Sequence, residues 1–126
     1  HCCGNTDWSI LIDAGVDLVN LDAFAYGDTI ALYPEAVASF LGRGGLIAWG
    51  IVPTSAAIRE QTVQGLAERF DAVVANLASK AGIGKGTILD QSLITPSCGT
   101  GSLAPGDAEM VFEKLEALST LVRSGI

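Results

Sequence analysis

Apolar residues fall along this chain in short compact runs separated by longer amphipathic stretches. Val16 to Asp22 (VDLVNLD) and Leu46 to Val52 (LIAWGIV) are apolar runs with β-branched residues, the pattern of buried strands. Ser92 to Thr95 predicts another strand, running into Pro96-Ser97-Cys98-Gly99. Trp8 to Ala14 predicts a short helix, capped by Asp7 and stopped by Gly15. Pro34 suits a first helical turn and predicts a helix to about Leu41, ended by Gly42-Arg43-Gly44-Gly45. A long helix is predicted from Ala56 to Ser79, with Pro53-Thr54-Ser55 as its capping turn. In it Leu66, Phe70, Val73 and Leu77 recur at helical spacing and share one face. Asp107 is the expected cap of a last helix with Val111, Leu115, Leu118 and Val122 on one face. Lys114 and Arg123 lie toward its C-terminal end, where the helix dipole favours cations. Ala23 to Asp28 reads as a loop with aromatics, and Gly82 to Gly86 as a glycine-rich connection.

If His1 to Cys3 end a first strand, strand and helix alternate four times. That alternation predicts an α/β fold with a parallel sheet: four βα units, half of a (β/α)8 TIM barrel, forming one domain over residues 1–126. The candidate functional residues fall at the C-terminal ends of strands, namely His1 and Cys3, Asp22, Pro53-Thr54 and Cys98, the end where barrels place their chemistry. A dinucleotide fingerprint is absent, because Gly42-Arg43-Gly44-Gly45 precedes a strand instead of following one. A half barrel leaves open edges and an uncovered apolar face. The chain is therefore expected to self-associate or to pair with a missing half, as a fragment of a longer protein would.

Composition narrows the class. Of 126 residues, 49% are hydrophobic and the mean hydropathy is +0.43, a core-rich balance that a disordered chain does not have. A net charge of −7 and a pI near 4.4 argue against a nucleic-acid partner, since no basic stripe could neutralise phosphates. No apolar run approaches the roughly 20 residues that span a bilayer, so no membrane partner is expected. Three cysteines, an odd number without disulfide-framework spacing, point to a reducing, cytoplasmic setting.

The opening, His1-Cys2-Cys3-Gly4-Asn5-Thr6-Asp7, holds the chain's one histidine beside two of its three cysteines. Imidazole and thiolate are preferred Zn²⁺ ligands, and His1, Cys3 and Cys98 would supply three of the usual four. Strand alternation points positions 1 and 3 to one face and Cys2 to the other. A plainer reading also fits, in which the cysteines are small packed hydrophobes and carry no chemistry. Asn5 suits a turn. Tyr26 and Trp49 are candidates for a pocket lining, although Trp49 in an apolar strand suits a core equally well. Ser97 would have no histidine left to activate it if His1 binds metal.

His1-Cys2-Cys3-Gly4-Asn5-Thr6, the strand ending in Asp22, and Thr95-Pro96-Ser97-Cys98-Gly99 together resemble the superfamily of cobalamin-independent methionine synthase and uroporphyrinogen decarboxylase. The opening is similar to the His-x-Cys-Gly-Asn segment of the methylcobamide:thiol methyltransferases. The resemblance covers nearly the whole chain and implies the C-terminal half of the barrel. It implies a zinc set of His1, Cys3, Asp22 and Cys98, with Asp22 as a displaceable catalytic ligand or an orienting group. The implied activity is transfer of a methyl group from methylcobalamin or methyltetrahydrofolate to a small-molecule thiol, with a corrinoid protein as a partner. Two departures stand out. Asp22 occupies a position where methionine synthases have Glu, and Thr100-Gly101-Ser102-Leu103 lacks their basic residues, which disfavours a polyglutamate folate. The competing expectations are a metal-free decarboxylase-like lyase and a non-catalytic half-barrel assembly module.

Overall fold

The computed structural model describes residues 1–125. Its centre is a three-stranded parallel sheet of β1 (Leu18–Leu21), β2 (Leu46–Val52) and β3 (Ser92–Pro96), in the order β1-β2-β3. Leu18 pairs with Leu46 and Leu21 with Trp49, while Trp49 pairs with Ile94 on the other side. The expected first strand is reduced to one parallel bridge: Cys2 stands beside Leu21, and its N–H donates to the Asn20 carbonyl at 3.0 Å. The molecule is thus an α/β fold with a parallel sheet in which three βα connections are regular and the opening contributes a single residue.

Helices cover one face of the sheet. α1 (Trp8–Asp13) begins where the Asp7 carboxylate accepts the Ser9 N–H at 3.0 Å, and it ends before Gly15, whose φ of +82° suits a residue without Cβ. α3 (Pro34–Gly42) follows the proline, as the sequence predicts. Between them, the expected loop after Asp22 is helical: α2 (Ala23–Tyr26) leads into a 3-10 turn over Gly27–Leu32. Four residues are too few to display a helical period, so capping by Asp22 was the only available signal.

The predicted long helix is divided. Ala56–Glu60 forms a 3-10 turn, and α4 runs over Val63–Ala81. Thr62 breaks the run by turning extended, so that its hydroxyl accepts the Gly65 N–H at 3.0 Å. Leu66, Phe70, Val73 and Leu77 are all buried, as their spacing predicts. Phe70 meets Trp49 edge to face with ring centres 6.1 Å apart, which fixes α4 against β2. Trp49 is wholly buried, and its indole N–H donates to Ser92 Oγ at 2.9 Å; it is a core residue and lines no pocket at the site. Gly82, at φ +67°, closes α4, and the glycine-rich connection contains a further helix, α5 (Lys85–Asp90).

α6 spans Pro105–Arg123, with Ala104 in the capping position and Pro105 in its first turn. Asp107, expected as the cap, lies inside the helix instead and takes both oxygens to Arg59, from Nε at 2.8 Å and Nη2 at 2.7 Å. Val111 and Leu118 are buried, and Leu115 and Val122 pack against that core. Lys114 serves a different helix end from the one expected. Its Nζ donates to the carbonyls of Ile58 and Gln61, which close the 3-10 turn before α4. No described helix is long and apolar enough to cross a membrane.

The other face of the sheet is different in character. Strand alternation places Leu18 and Asn20 of β1, Leu46, Ala48 and Gly50 of β2, and Leu93 and Thr95 of β3 on it together. Leu18, Leu46 and Leu93, at the early ends of their strands, are 40%, 37% and 47% exposed. An apolar row thus lies open on this side, with polar Asn20 and Thr95 further along it.

Candidate metal centre

The site begins with the Cys2 bridge. Because Cys2 is held in a parallel register beside β1, its side chain and those of its neighbours alternate. Cys2 is half-buried against the core and pairs with the Thr6 hydroxyl, whereas His1 and Cys3 are exposed. That hydroxyl, with the Gly4 N–H, draws the Cys2 thiol below its ordinary range.

The second half of the site comes from the end of β3. Its pairing with β2 shifts register between Gly50 and Val52, and the Ser97 N–H donates to the Val52 carbonyl at 2.9 Å. Ser97 is buried; its Oγ accepts the Thr54 N–H and meets the Thr54 hydroxyl, both at 3.1 Å. These bonds clamp the Pro96-Ser97-Cys98 turn onto the end of β2. Gly50 makes the close approach possible. A Cβ there would stand 2.5 Å from the Leu21 carbonyl oxygen and 2.9 Å from that of Pro96. Ser97 therefore has a structural task that the sequence did not reveal.

Together these elements bring His1, Cys3 and Cys98 into one group. One donor atom from each, a ring nitrogen and two sulfurs, lies within 4.8 Å of the others. Tetrahedral Zn²⁺ with Zn–S near 2.3 Å needs sulfurs about 3.8 Å apart. The group fits that ion in donor type and needs only small side-chain movements to reach its spacing. His1, Asn20, Thr95, Pro96, Cys98 and Gly99 line one open hollow at this end of the sheet.

Asp22 is not in the group of converging donors. It caps α2, with Oδ1 accepting the Ala25 N–H at 2.9 Å. It is nevertheless near enough to act on the site electrostatically. Burial first, then the Cys3 thiol and the Asp22 carboxylate, push the Cys98 thiol above its ordinary range, while the Thr54 hydroxyl acts in the opposite direction. A divalent cation among these groups would reverse that balance by favouring thiolates.

Asn20 is the site residue that sequence reasoning missed. Its carbonyl oxygen contacts His1 Nδ1, and its amide nitrogen bonds the Ala48 carbonyl at 2.9 Å and Thr95 Oγ1 at 3.0 Å. The available signal was one amide in an otherwise apolar strand interior, two residues before Asp22. Asn5 and Tyr26 are exposed. No family model, curated protein or solved structure matches this chain.

Proposed function

We propose that this chain is the zinc-binding, C-terminal half of a TIM-barrel methyltransferase, acting on a small-molecule thiol. The observation that carries the reading is the convergence of His1, Cys3 and Cys98 from opposite edges of a parallel sheet. The half-barrel part is supported by Cys98 just past the C-terminal end of β3, by the Cys2 bridge beside β1, and by the open row of Leu18, Leu46 and Leu93. A metal-free lyase would leave the converging trio without a task.

His1, Cys3 and Cys98 would hold the ion, the two thiols giving up their protons on binding. Bound there, Zn²⁺ would keep a substrate thiol as its nucleophilic thiolate at neutral pH. Two protein thiolates and one neutral imidazole would cancel the charge of such an ion, which favours a basic substrate sulfur. In the transfer the sulfur–methyl bond forms. The donor's bond to that methyl breaks, and its electron pair stays with the corrinoid or folate. Asp22, near Cys98 but committed to α2 through one oxygen, would act on the site by its charge and through its second oxygen.

The test is product formation. Wild-type protein with zinc, methylcobalamin or methyltetrahydrofolate, and a panel of small thiols is expected to yield a methyl thioether detectable by mass. The longer polypeptide containing this segment, or the segment plus its complementary half, belongs in the same assay. Thioether formed equally by Cys98→Ser would overturn the reading.

A further inference from the structure

We infer that Asn20 is the positioning residue of this site: its side-chain carbonyl holds the His1 proton on Nδ1 and so leaves Nε2 as the metal-binding nitrogen. The inference rests on the zinc reading above and adds to it a choice of tautomer.

The argument is one of hydrogen-bond capacity. An asparagine amide has one end that only donates and one that only accepts. The Ala48 backbone carbonyl can only accept, so the end facing it at 2.9 Å is the NH₂ group. Thr95 Oγ1, at 3.0 Å from the same nitrogen, takes its other proton. The amide orientation is thereby fixed from two further strands, and the carbonyl oxygen is left facing His1 Nδ1. An oxygen that only accepts requires a proton on the facing nitrogen. The neutral ring then carries its lone pair on Nε2.

This arrangement opposes the intrinsic preference of imidazole, which favours the proton on Nε2 when nothing constrains it. Metal-bound histidines commonly donate their other ring N–H to a fixed acceptor, which sets ring orientation and raises ligand basicity. Asn20 is suited to that task because it is half-buried and anchored to β2 and β3 at once. The ring is therefore referenced to the sheet and to β3, the strand that leads into Cys98.

The experiment uses zinc and cobalt(II) alone as probes, with no methyl donor. Nitrogen-15 NMR of His1 in metal-free protein, at a pH where the ring is neutral, is expected to show the Nδ1–H tautomer in wild type. Asn20→Ala should shift toward Nε2–H and bind zinc about 10- to 100-fold more weakly in chelator competition. Thr95→Val, which removes an anchor but not the acceptor, should keep the wild-type tautomer and so separates sheet damage from positioning. Wild-type tautomer and zinc affinity in Asn20→Ala would overturn the inference while leaving the metal reading intact. Should Asn20→Ala unfold, the wild-type spectrum decides, since an Nε2–H ring in metal-free wild type overturns the inference. Absence of zinc binding in wild type would overturn both.

Discussion

Gly50 lies so close to Ser97 that a Cβ on the glycine would stand 2.7 Å from the Ser97 Cα. The obstruction is backbone, which cannot rotate away as a side chain could. Gly50→Ala is therefore expected to destabilise by about 1–3 kcal/mol, the range for overpacking a tight interior. It should also displace the turn that carries Cys98 and weaken metal binding. A denaturant midpoint and a zinc titration, measured on the same variant, check both parts.

The buried face of α4 gives a contrast between neighbours. Phe70 is 2% exposed and packs on Trp49, so Phe70→Ala should cost about 3–5 kcal/mol. Glu68 is exposed, and Glu68→Gln should remain within about 0.5 kcal/mol. Small and equal effects in a denaturant titration would contradict the packing of this helix.

Acid should act through Asp107. Its side chain is 11% exposed and bound to Arg59, whose guanidinium holds the carboxyl below the usual range. A carboxylate with a lowered folded pKa stabilises above its unfolded value, near 3.9, and that contribution disappears as pH falls through the folded value. Wild type should therefore be more stable than Asp107→Asn from neutrality down to about pH 4. Below that the two should converge. Parallel melting curves across pH are the measurement, and a constant difference down to the lowest pH would contradict the mechanism.

Metal content separates the three cysteines. Cys98→Ser should lose most of the zinc, because a neutral hydroxyl replaces a thiolate poorly. Cys2→Ser should lose none, since Cys2 faces Thr6 and the core. Zinc retained in Cys98→Ser, or lost equally in Cys2→Ser, would contradict the ligand assignment.

The open leucine row should make this chain associate with a second copy at micromolar concentration. Leu18, Leu46 and Leu93 are exposed on one sheet face, and β3 is an edge strand. Sedimentation should show association that weakens in Leu93→Glu. A single monomeric species for both proteins would contradict it.

The parallel strands and the buried stripe of α4 were legible because period and apolar runs extend over enough residues to be distinctive. Metal candidates were legible for another reason: His1 and Cys3 alternate about Cys2, which bridges to β1, and Cys98 follows a strand. What the pattern concealed depended on partners distant in sequence. Asp107 has the chemistry of a cap but is recruited by Arg59, and Lys114 serves carbonyls on another element. Thr62 interrupts a continuous helical pattern by one local hydrogen bond. Asn20 could not be assigned from its strand alone, since its bonds reach β2, β3 and His1.

His1 and Cys3 are held to the sheet by the Cys2–Leu21 bridge and the His1–Asn20 contact, whereas Cys98 is tied to the end of β2 through Ser97. A metal held between these two attachments would join segments far apart in the chain, so its binding would favour the closed arrangement of both. Saturating zinc would therefore protect the Cys2 amide from hydrogen exchange by mass action, because the closed bridge to Asn20 is the arrangement that presents His1 and Cys3 to the ion.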